Sequence, residues 1–354
     1  MSSTMLAGRL RLDTRSFAVE EVAVPVPGPG EVLVEVRAAG VCLSDVHLID
    51  GSLSPFFPTD AVTKAGAVTL GHEVAGVVHT LGPDVKGDWT PGQRVVLQAG
   101  EACGDCPGCL RRMMCHRPLT RGLDYDGGWA QYTIAREGTL LPIPDDLPFD
   151  QAAIIPDAVS TPYAAIVGTG AVRPAQSVGI WGAGGLGAHA VRLARMVGAA
   201  PILAIDPLPS ARERALLFGA DLALDPLAPD FAEAVREATA GRGLDVAFDF
   251  AGVGAARAQA ASVLGPFGSL VLAGLTPEPV TIADSIGFCF NVNQVRGHYG
   301  SEPEHVEQLV GLASAGRIDL APSVTAHVPL AEAAEAVARL ENKVGDPIRL
   351  VLTP

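Results

Sequence analysis

Four of the chain's six cysteines are crowded into one short segment. Cys103, Cys106, Cys109 and Cys115 follow one another as C-x2-C-x2-C-x5-C. Four thiolates in a compact loop can surround zinc at Zn–S distances of about 2.3 Å and leave no position for a substrate. The spacing therefore predicts a structural zinc site that contributes folding energy to its loop. Reduced or oxidisable thiols are the alternative reading, and the adjacent His116 could replace Cys115 as a ligand.

A glycine-rich turn joins an apolar strand to a helical segment. In WGAGGLGAHAVRLA, the pattern G-x-G-x-x-G is formed by Gly182, Gly184 and Gly187, with Gly185 and Leu186 between them. The glycines permit a tight turn and a close approach of backbone to a pyrophosphate, while the helix N-terminus faces the negative charge. A lone match is weak, but its position between strand SVGI and a helix predicts a dinucleotide site.

Asp206 ends the following strand, PILAID, 19 residues after Gly187. A carboxylate at this place accepts hydrogen bonds from the adenosine ribose hydroxyls and repels a 2′-phosphate. Pro207 follows, where a cation would suit that phosphate, so the sequence favours NAD over NADP. Taken alone, Asp206 could merely begin a turn before proline.

Composition and periodicity indicate the elements that must hold these groups. The chain has 354 residues, 48% of them hydrophobic and 18% charged, which is enough to bury a large core and to form two domains. The first 150 or so residues contain short β-like runs with Gly and Pro turns. From about residue 160, strands alternate with Ala-rich helical segments, which predicts an α/β domain with a doubly wound parallel sheet.

The charge balance and the hydropathy of the chain exclude several partners. The net charge is -14, with 25 Lys plus Arg against 39 Asp plus Glu, so nucleic acids and acidic membranes are not expected partners. The amino terminus does not have the pattern of a signal peptide, and no stretch approaches about 18 uninterrupted apolar residues. Crowded cysteines suit a reducing compartment. We expect a soluble cytoplasmic protein.

The order of motifs resembles that of the zinc-containing medium-chain dehydrogenase/reductase superfamily, the alcohol dehydrogenases in particular, over nearly the full length. It runs from G-x-C-x-x-D at Gly40 through GHE at 71–73, the cysteine lobe, GGWAQY at 127–132, the glycine turn and the closing IRLVL. The resemblance implies a β-rich GroES-like catalytic domain over 1–158, with a zinc lobe at about 100–118. It also implies a Rossmann domain over 159–300 and a returning segment over 301–354.

The same resemblance implies a catalytic zinc held by Cys42, His72 and Asp157, the last at a position where many relatives have Cys. Glu73 would be an alternate ligand or an outer carboxylate, and Asp45 would orient His72 through its free ring nitrogen. Taken in isolation, Cys42 and His72 would be read as core residues. In an alternative arrangement, Asp157 only caps a loop and Glu73 completes the ligand shell.

Further residues are implied by position in the family pattern. Ser44 and His47 would form a relay that carries the substrate proton to solvent; a turn residue and a surface histidine are the alternative readings. Thr161 and Leu186 would lie against the nicotinamide. Arg349 would reach the pyrophosphate. Arg212 would cover the adenosine side or simply be a solvated helix residue.

The expected activity is the reversible, NAD-linked oxidation of a primary or secondary alcohol, with two zincs per chain. A polyol or sugar dehydrogenase is one alternative, and a non-catalytic nucleotide-binding protein is another. Phe56, Phe57, Ala99 and Trp129 are expected to give an apolar pocket that disfavours polyols. A homodimer or homotetramer is expected, with GFCFNVN at 287–293 as a candidate contact and Cys289 buried within it.

Overall fold

The computed structural model describes residues 4–52, 66–111 and 115–354. Among them, the strands are β1 Thr4–Arg11, β2 Phe17–Ala23, β3 Glu31–Val41, β4 Ala67–Thr69, β5 Val74–Leu81, β6 Arg94–Leu97, β7 Gly100–Glu101, β8 Leu119–Thr120, β9 Tyr132–Arg136, β10 Leu140–Pro142, β11 Val178–Trp181, β12 Ile202–Ile205, β13 Leu222–Leu224, β14 Leu244–Asp249, β15 Leu264–Leu272, β16 Gln294–Gly297, β17 Val324–Pro329 and β18 Arg349–Thr353.

Among the described residues, the α-helices are fewer than the strands and are concentrated in the second half of the chain. They are α1 Leu43–Asp50, α2 Pro107–Leu110, α3 Phe149–Ala153, α4 Ser160–Ala164, α5 Gly187–Met196, α6 Pro209–Leu217, α7 Phe231–Ala238, α8 Gly254–Ser262, α9 Ser285–Phe290, α10 Pro303–Ser314 and α11 Ala333–Glu341. In the described part of the chain, no helix has the length and apolar character needed to cross a membrane.

The chain divides into two compact units. Met1–Asp157 and Val306–Pro354 form the first, here called the catalytic unit, and Ala158–His305 form the second, here called the cofactor unit. The tail from Val306 onward thus belongs to the catalytic unit.

In the catalytic unit, β3 lies at the centre of a mixed sheet with the order β10-β6-β5-β3-β18-β17, and β9 also pairs with β3. Val32, Val34 and Val36 are buried, as expected for alternate β-branched residues that face a core. At the far end of β3, Val41 pairs with Leu350 of β18. The end of β3 is therefore fixed by a strand from the opposite end of the chain.

In the cofactor unit, six parallel strands form one sheet with the order β13-β12-β11-β14-β15-β16. All four residues of β11 and of β12 are buried, because a parallel sheet is covered on both faces. The predicted doubly wound α/β fold is confirmed. The strand order reverses between β11 and β14, and open α/β sheets bind ligands outside the carboxyl ends of the strands at such a switch point.

Candidate active site and metal centres

One cluster of potential metal ligands lies in the catalytic unit and is formed by Cys42, His72, Glu73 and Asp157. Each offers a donor atom, and these atoms lie within 4.8 Å of one another. The Asp157 Oδ2 atom is 3.5 Å from Cys42 Sγ and 3.3 Å from His72 Nε2. Donors bound to one tetrahedral zinc stand roughly 3.5 Å apart. The three predicted ligands thus have the spacing and the soft-to-hard donor set that zinc accepts.

Local structure brings each of these three donors to the cluster. Cys42 follows β3 and caps α1, where its backbone N–H donates to Asp45 Oδ2 at 2.9 Å. His72 follows Gly71, whose φ of 95° is open to glycine but disfavoured for other residues. Asp157 lies in a π-helical turn, Ile155–Val159, a widened turn of the kind found at functional sites.

Asp45 is fully buried behind the cluster. Its Oδ1 atom faces His72 Nδ1 at 3.6 Å, on the opposite side of the ring from Asp157. Burial lowers the pKa of His72, but the charge of Asp45 and the contacts with Asp157 and Cys42 outweigh it and raise this pKa well above its usual value. The ring is therefore held between two carboxylates, with Nε2 directed at the ligands and Nδ1 at Asp45.

Glu73 and Arg349 form a second buried layer. Glu73 Oε1 is 2.9 Å from Arg349 Nη2, with side chains 0% and 2% exposed. The same Nη2 is 3.9 Å from Asp157 Oδ2. Burial raises the pKa of Glu73 to about 7, and Arg349 opposes that rise. Glu73 lies against β3 because Gly40 has no side chain: a Cβ there would be 1.8 Å from Glu73 Oε2.

The arginine partner of Glu73 was missed by sequence reasoning, which assigned Arg349 to the pyrophosphate. A single arginine within the apolar run IRLVL was the available signal, since a buried cation requires an anion nearby. A role of Arg349 toward the pyrophosphate stays a prediction.

The two relay candidates lie on α1. Ser44 Oγ is 3.6 Å from Cys42 Sγ, next to the ligand set. His47 is 40% exposed and contacts Ser52 Oγ at 3.0 Å and Asp50 at 3.7 Å. Ser44 is thus at the cluster and His47 is open to solvent, and a proton path between them stays a prediction.

The second cluster is the cysteine lobe. Its sulfur atoms lie within 4.8 Å of one another, and neighbouring pairs are 3.5–4.0 Å apart, in the set Cys103, Cys106, Cys109 and Cys115. The backbone N–H groups of Cys109 and His116 donate to the Cys106 sulfur and lower the pKa of that thiol to about 5. Among the described residues, the group of potential metal ligands in the lobe contains the four cysteine sulfurs and does not contain the His116 ring. His116 contributes its backbone amide instead.

The glycine turn begins at Gly182, with a φ of 87°, and leads into α5 at Gly187. A Cβ at Gly187 would be 1.6 Å from the Gly182 oxygen, so close packing requires glycine there. Gly184 has open space where its Cβ would be. Leu186 is the N-cap of α5, and Gly185 accepts a hydrogen bond from His189 Nδ1 through its carbonyl.

Asp206 is buried at the end of β12. Its Oδ2 atom accepts a hydrogen bond from Ala183 N at 2.8 Å and its Oδ1 atom accepts one from Leu208 N at 2.9 Å. Arg212 donates to the Asp206 and Pro207 carbonyls. Asp206 therefore fixes the glycine turn, and a carboxylate still has lone pairs for further donors.

The remaining predicted residues have mixed outcomes. Thr161 is buried in the cofactor unit, and its carbonyl faces His298 Nε2 at 3.0 Å. Trp129 is a core residue, 0% exposed, with its indole N–H donating to the Gly40 carbonyl, so its expected place in a substrate pocket was wrong. Cys289 is exposed in the single chain, and its expected burial in a contact between chains stays a prediction. Phe56 and Phe57 lie outside the described residues.

Two family models match the chain in succession. Residues 28–145 match an alcohol dehydrogenase GroES-like domain, and residues 185–315 match a zinc-binding dehydrogenase domain. Together the two matches extend from the catalytic unit through most of the cofactor unit.

Relatives and solved structures agree with these matches. The chain is 32% identical to an L-threonine 3-dehydrogenase of Pyrococcus horikoshii, over 86% of each chain. It is 34% identical to an alcohol dehydrogenase of Geobacillus stearothermophilus, over 86% of this chain and 87% of that one. Acetophenone reductase from Geotrichum candidum, solved in complex with NAD, is 27% identical with a TM-score of 0.83, covering 100% of this chain and 98% of that one. The chain therefore belongs to the zinc-dependent alcohol dehydrogenase family of the medium-chain dehydrogenase/reductase superfamily.

Proposed function

We propose that this oxidoreductase is an NAD-linked alcohol dehydrogenase that binds two zincs per chain and interconverts a primary or secondary alcohol with its aldehyde or ketone. The observation that carries the proposal is the buried set Cys42, His72 and Asp157, whose donors are 3.3–3.5 Å apart where measured. Three protein donors leave a fourth position on zinc, as in catalytic sites. The cysteine lobe, with four thiols, fits a closed structural site.

Alcohol oxidation removes a hydride from the carbinol carbon and a proton from the hydroxyl. When bound, zinc supplies a Lewis acid and nicotinamide supplies a hydride acceptor. Cys42, His72 and Asp157 hold the metal, and Asp45 keeps His72 in the ligating orientation. Ser44 Oγ lies at the ligand set, where it would accept the hydroxyl proton as its own hydroxyl proton moves on, and His47 on the same helix is open to water and would be the last group to release a proton.

Asp206 supports NAD as the cofactor. It is held by two backbone amides at the carboxyl end of β12, near the glycine turn, where its charge opposes a 2′-phosphate. Arg212, the neighbouring cation, faces carbonyls and Asp225 at 3.5 Å. We expect kcat/KM for NAD to exceed that for NADP by about tenfold or more, since a carboxylate repels the additional phosphate.

A second candidate is a dehydrogenase of polar alcohols, either a polyol or an amino alcohol. It is supported by the 32% identity to an L-threonine 3-dehydrogenase, and Trp129 no longer argues against it because that side chain lies in the core. A non-catalytic role is disfavoured, because such a protein has no use for a three-donor set beside Ser44.

The deciding experiment is NAD and NADP reduction with simple primary, secondary and polyhydroxy alcohols and L-threonine, together with zinc content by mass spectrometry. We expect two zincs per chain and turnover of a simple alcohol with NAD. Cys42→Ala should lose one zinc and all turnover, whereas Cys289→Ala, at an exposed cysteine outside both clusters, should keep both. Turnover restricted to polyols or threonine selects the second candidate, and full activity of Cys42→Ala overturns the zinc site.

A homodimer or homotetramer is also proposed, joined at the edge of the cofactor unit. There, β16 has one sheet neighbour, β15, among the described strands, and nearby Ile286, Phe290 and Val292 are 70%, 84% and 53% exposed. Exposed apolar groups at a sheet edge favour self-association. Light scattering should show Phe290→Asp as a smaller species than Leu217→Asp, a matched change at an equally exposed residue of α6. Equal masses for the two variants contradict this interface.

We place the enzyme in the cytoplasm on the basis of its free cysteines, which suit a reducing compartment.

A further inference from the structure

A buried ion pair lies in the cofactor unit and shares no residue with either cluster of potential metal ligands. Asp249 ends β14, and Arg257 lies in the middle of α8. Arg257 Nε donates to Asp249 Oδ2 at 2.7 Å, and the two side chains are 6% and 0% exposed. Neither residue belongs to a motif that the sequence analysis identified.

The pair joins two loops. Asp249 Oδ1 accepts hydrogen bonds from Ala251 N at 3.0 Å and Gly252 N at 2.9 Å, which fixes the loop after β14. Arg257 Nη2 donates to the Gly274 carbonyl, in the loop after β15. The Asp249 carbonyl also accepts from Gly274 N at 2.7 Å. Both loops are thus tied to one carboxylate–guanidinium unit.

The same two loops pack against the glycine turn. A Cβ at Gly182 would be 2.9 Å from Ala251 N, and a Cβ at Gly252 would be 2.9 Å from the Leu275 oxygen. Three loops at the carboxyl ends of β11, β14 and β15 are therefore in direct contact, without space for a methyl group. They lie where the strand order reverses, the place at which open α/β sheets bind their ligands.

The stability of the fold does not by itself require a charged pair at Asp249 and Arg257. Two ions removed from water carry a desolvation cost, and neutral side chains of similar volume commonly replace such a pair without loss of stability. A planar guanidinium that reaches a carboxylate and a carbonyl in different loops instead fixes geometry.

We propose that Asp249 and Arg257 are positioning residues for the nicotinamide cofactor, which hold the loops after β14 and β15 at the spacing that the bound dinucleotide requires. This inference rests on the proposed function, since it assumes a dinucleotide at the switch point. Neither residue touches the cofactor in this role; both act through the loop backbone.

The test compares four variants by NADH fluorescence titration, by KM for NAD and for the alcohol, and by thermal unfolding. Arg257→Met removes the link between the loops. The double variant Asp249→Asn with Arg257→Met removes both charges and should keep Tm within about 3 °C of wild type. Arg257→Lys keeps the positive charge but lacks the planar, forked set of N–H donors of the guanidinium group.

The control is Asp245→Asn. Asp245 lies on β14 as well, but at its amino end, where Oδ2 accepts from Ser177 N at 2.7 Å and Ser177 Oγ at 2.8 Å. Asp245 thus makes a similar set of hydrogen bonds, but at the amino ends of the strands, whereas the three loops lie at the carboxyl ends. This variant should lower Tm and leave NADH binding within about twofold.

We expect Arg257→Met and the double variant to raise the NADH Kd and the KM for NAD about tenfold, because small displacements of loop backbone misplace the cofactor. KM for the alcohol should change less than about twofold, and Arg257→Lys should recover part of the binding. Wild-type NADH affinity in the double variant overturns the inference, and so does equal weakening by Asp245→Asn. A wild-type protein that binds neither NADH nor NADPH overturns the proposed function itself.

Discussion

The two metal clusters of the catalytic unit are built in opposite ways. Cys42 and Asp157 meet at 3.5 Å across 115 positions of sequence, and the donors of that cluster are buried or nearly so. In the lobe, Cys103 and Cys115 meet at the same distance across 12 positions. Around the lobe, Arg117 and Asp105 are 64% and 71% exposed, so it has little core of its own.

This difference indicates whether the folded chain or a bound metal determines how the donors of each site are arranged. In the first cluster, β3, α1 and the π-helical turn place the donors, and the Glu73–Arg349 pair packs behind them. The folded chain therefore places these donors before any metal binds. In the lobe, the two-residue strands β7 and β8 are the only sheet pairing among the described residues. There a bound zinc would hold the chain, as in other small structural zinc sites.

The largest effect is expected from removing a ligand of the first cluster. Asp157→Ala should lose one zinc per chain and lower turnover about a thousandfold or more, because Lewis acid catalysis contributes several kcal/mol. Thermal unfolding should change little, since Arg349 keeps Glu73 as its partner. Asp157→Cys is the matched control and should retain zinc. Full turnover with both zincs retained in Asp157→Ala would show that Glu73 completes the shell.

At the lobe, the expected effect is on stability. Cys103→Ser should lose the other zinc and lower Tm on the order of 10 °C, because structural zinc contributes folding free energy. Turnover per remaining zinc should stay close to wild type at low temperature. Scanning calorimetry checks this, with Leu217→Ala, a change at an exposed residue of α6 outside the proposed interface, as the control. An unchanged Tm would mean that the lobe folds without its metal.

Asp45→Asn tests how far the surrounding fold contributes to the first cluster, because it changes the residue that orients His72 and leaves His72 itself in place. Removing the carboxylate beside His72 Nδ1 should lower zinc affinity or kcat about ten- to a hundredfold, as for other residues behind metal-bound imidazoles. Competition with a chromogenic chelator measures the affinity. Wild-type affinity and kcat would show that the fold alone orients His72.

The smallest effect concerns the cofactor unit, which has no metal cluster among its described residues. Burial lowers the pKa of His298, whose ring contacts Thr169 Oγ1 at 2.8 Å and the Thr161 carbonyl. The unfolded chain then binds the additional proton first, so stability is greatest above about pH 6.5 and falls as the pH drops through that value. His298→Gln should flatten this slope in urea titrations from pH 5 to 7. An identical slope assigns it to other groups.

The separation of the residues along the chain also decides which of them could be predicted from the sequence. The lobe and the glycine turn are local patterns, so Cys103 and Gly182 could be identified from spacing. The proposed catalytic ligands are distant in sequence, so the prediction of Cys42, His72 and Asp157 depended on a family resemblance. Long-range packing could not be read at all: Arg349 pairs with Glu73 across the sheet, and Trp129 turns into the core.

The pairing of β3 with β18 also has a consequence for biosynthesis. Arg349 Nη1 donates to the Val41 carbonyl across 308 positions, so β3 gains this neighbour only after the residues between them have been synthesised. The cofactor unit is contiguous, Ala158–His305, and can fold while synthesis continues. Until β18 arrives, the nascent catalytic unit exposes an apolar strand edge, which makes it the part of the chain that chaperones must protect.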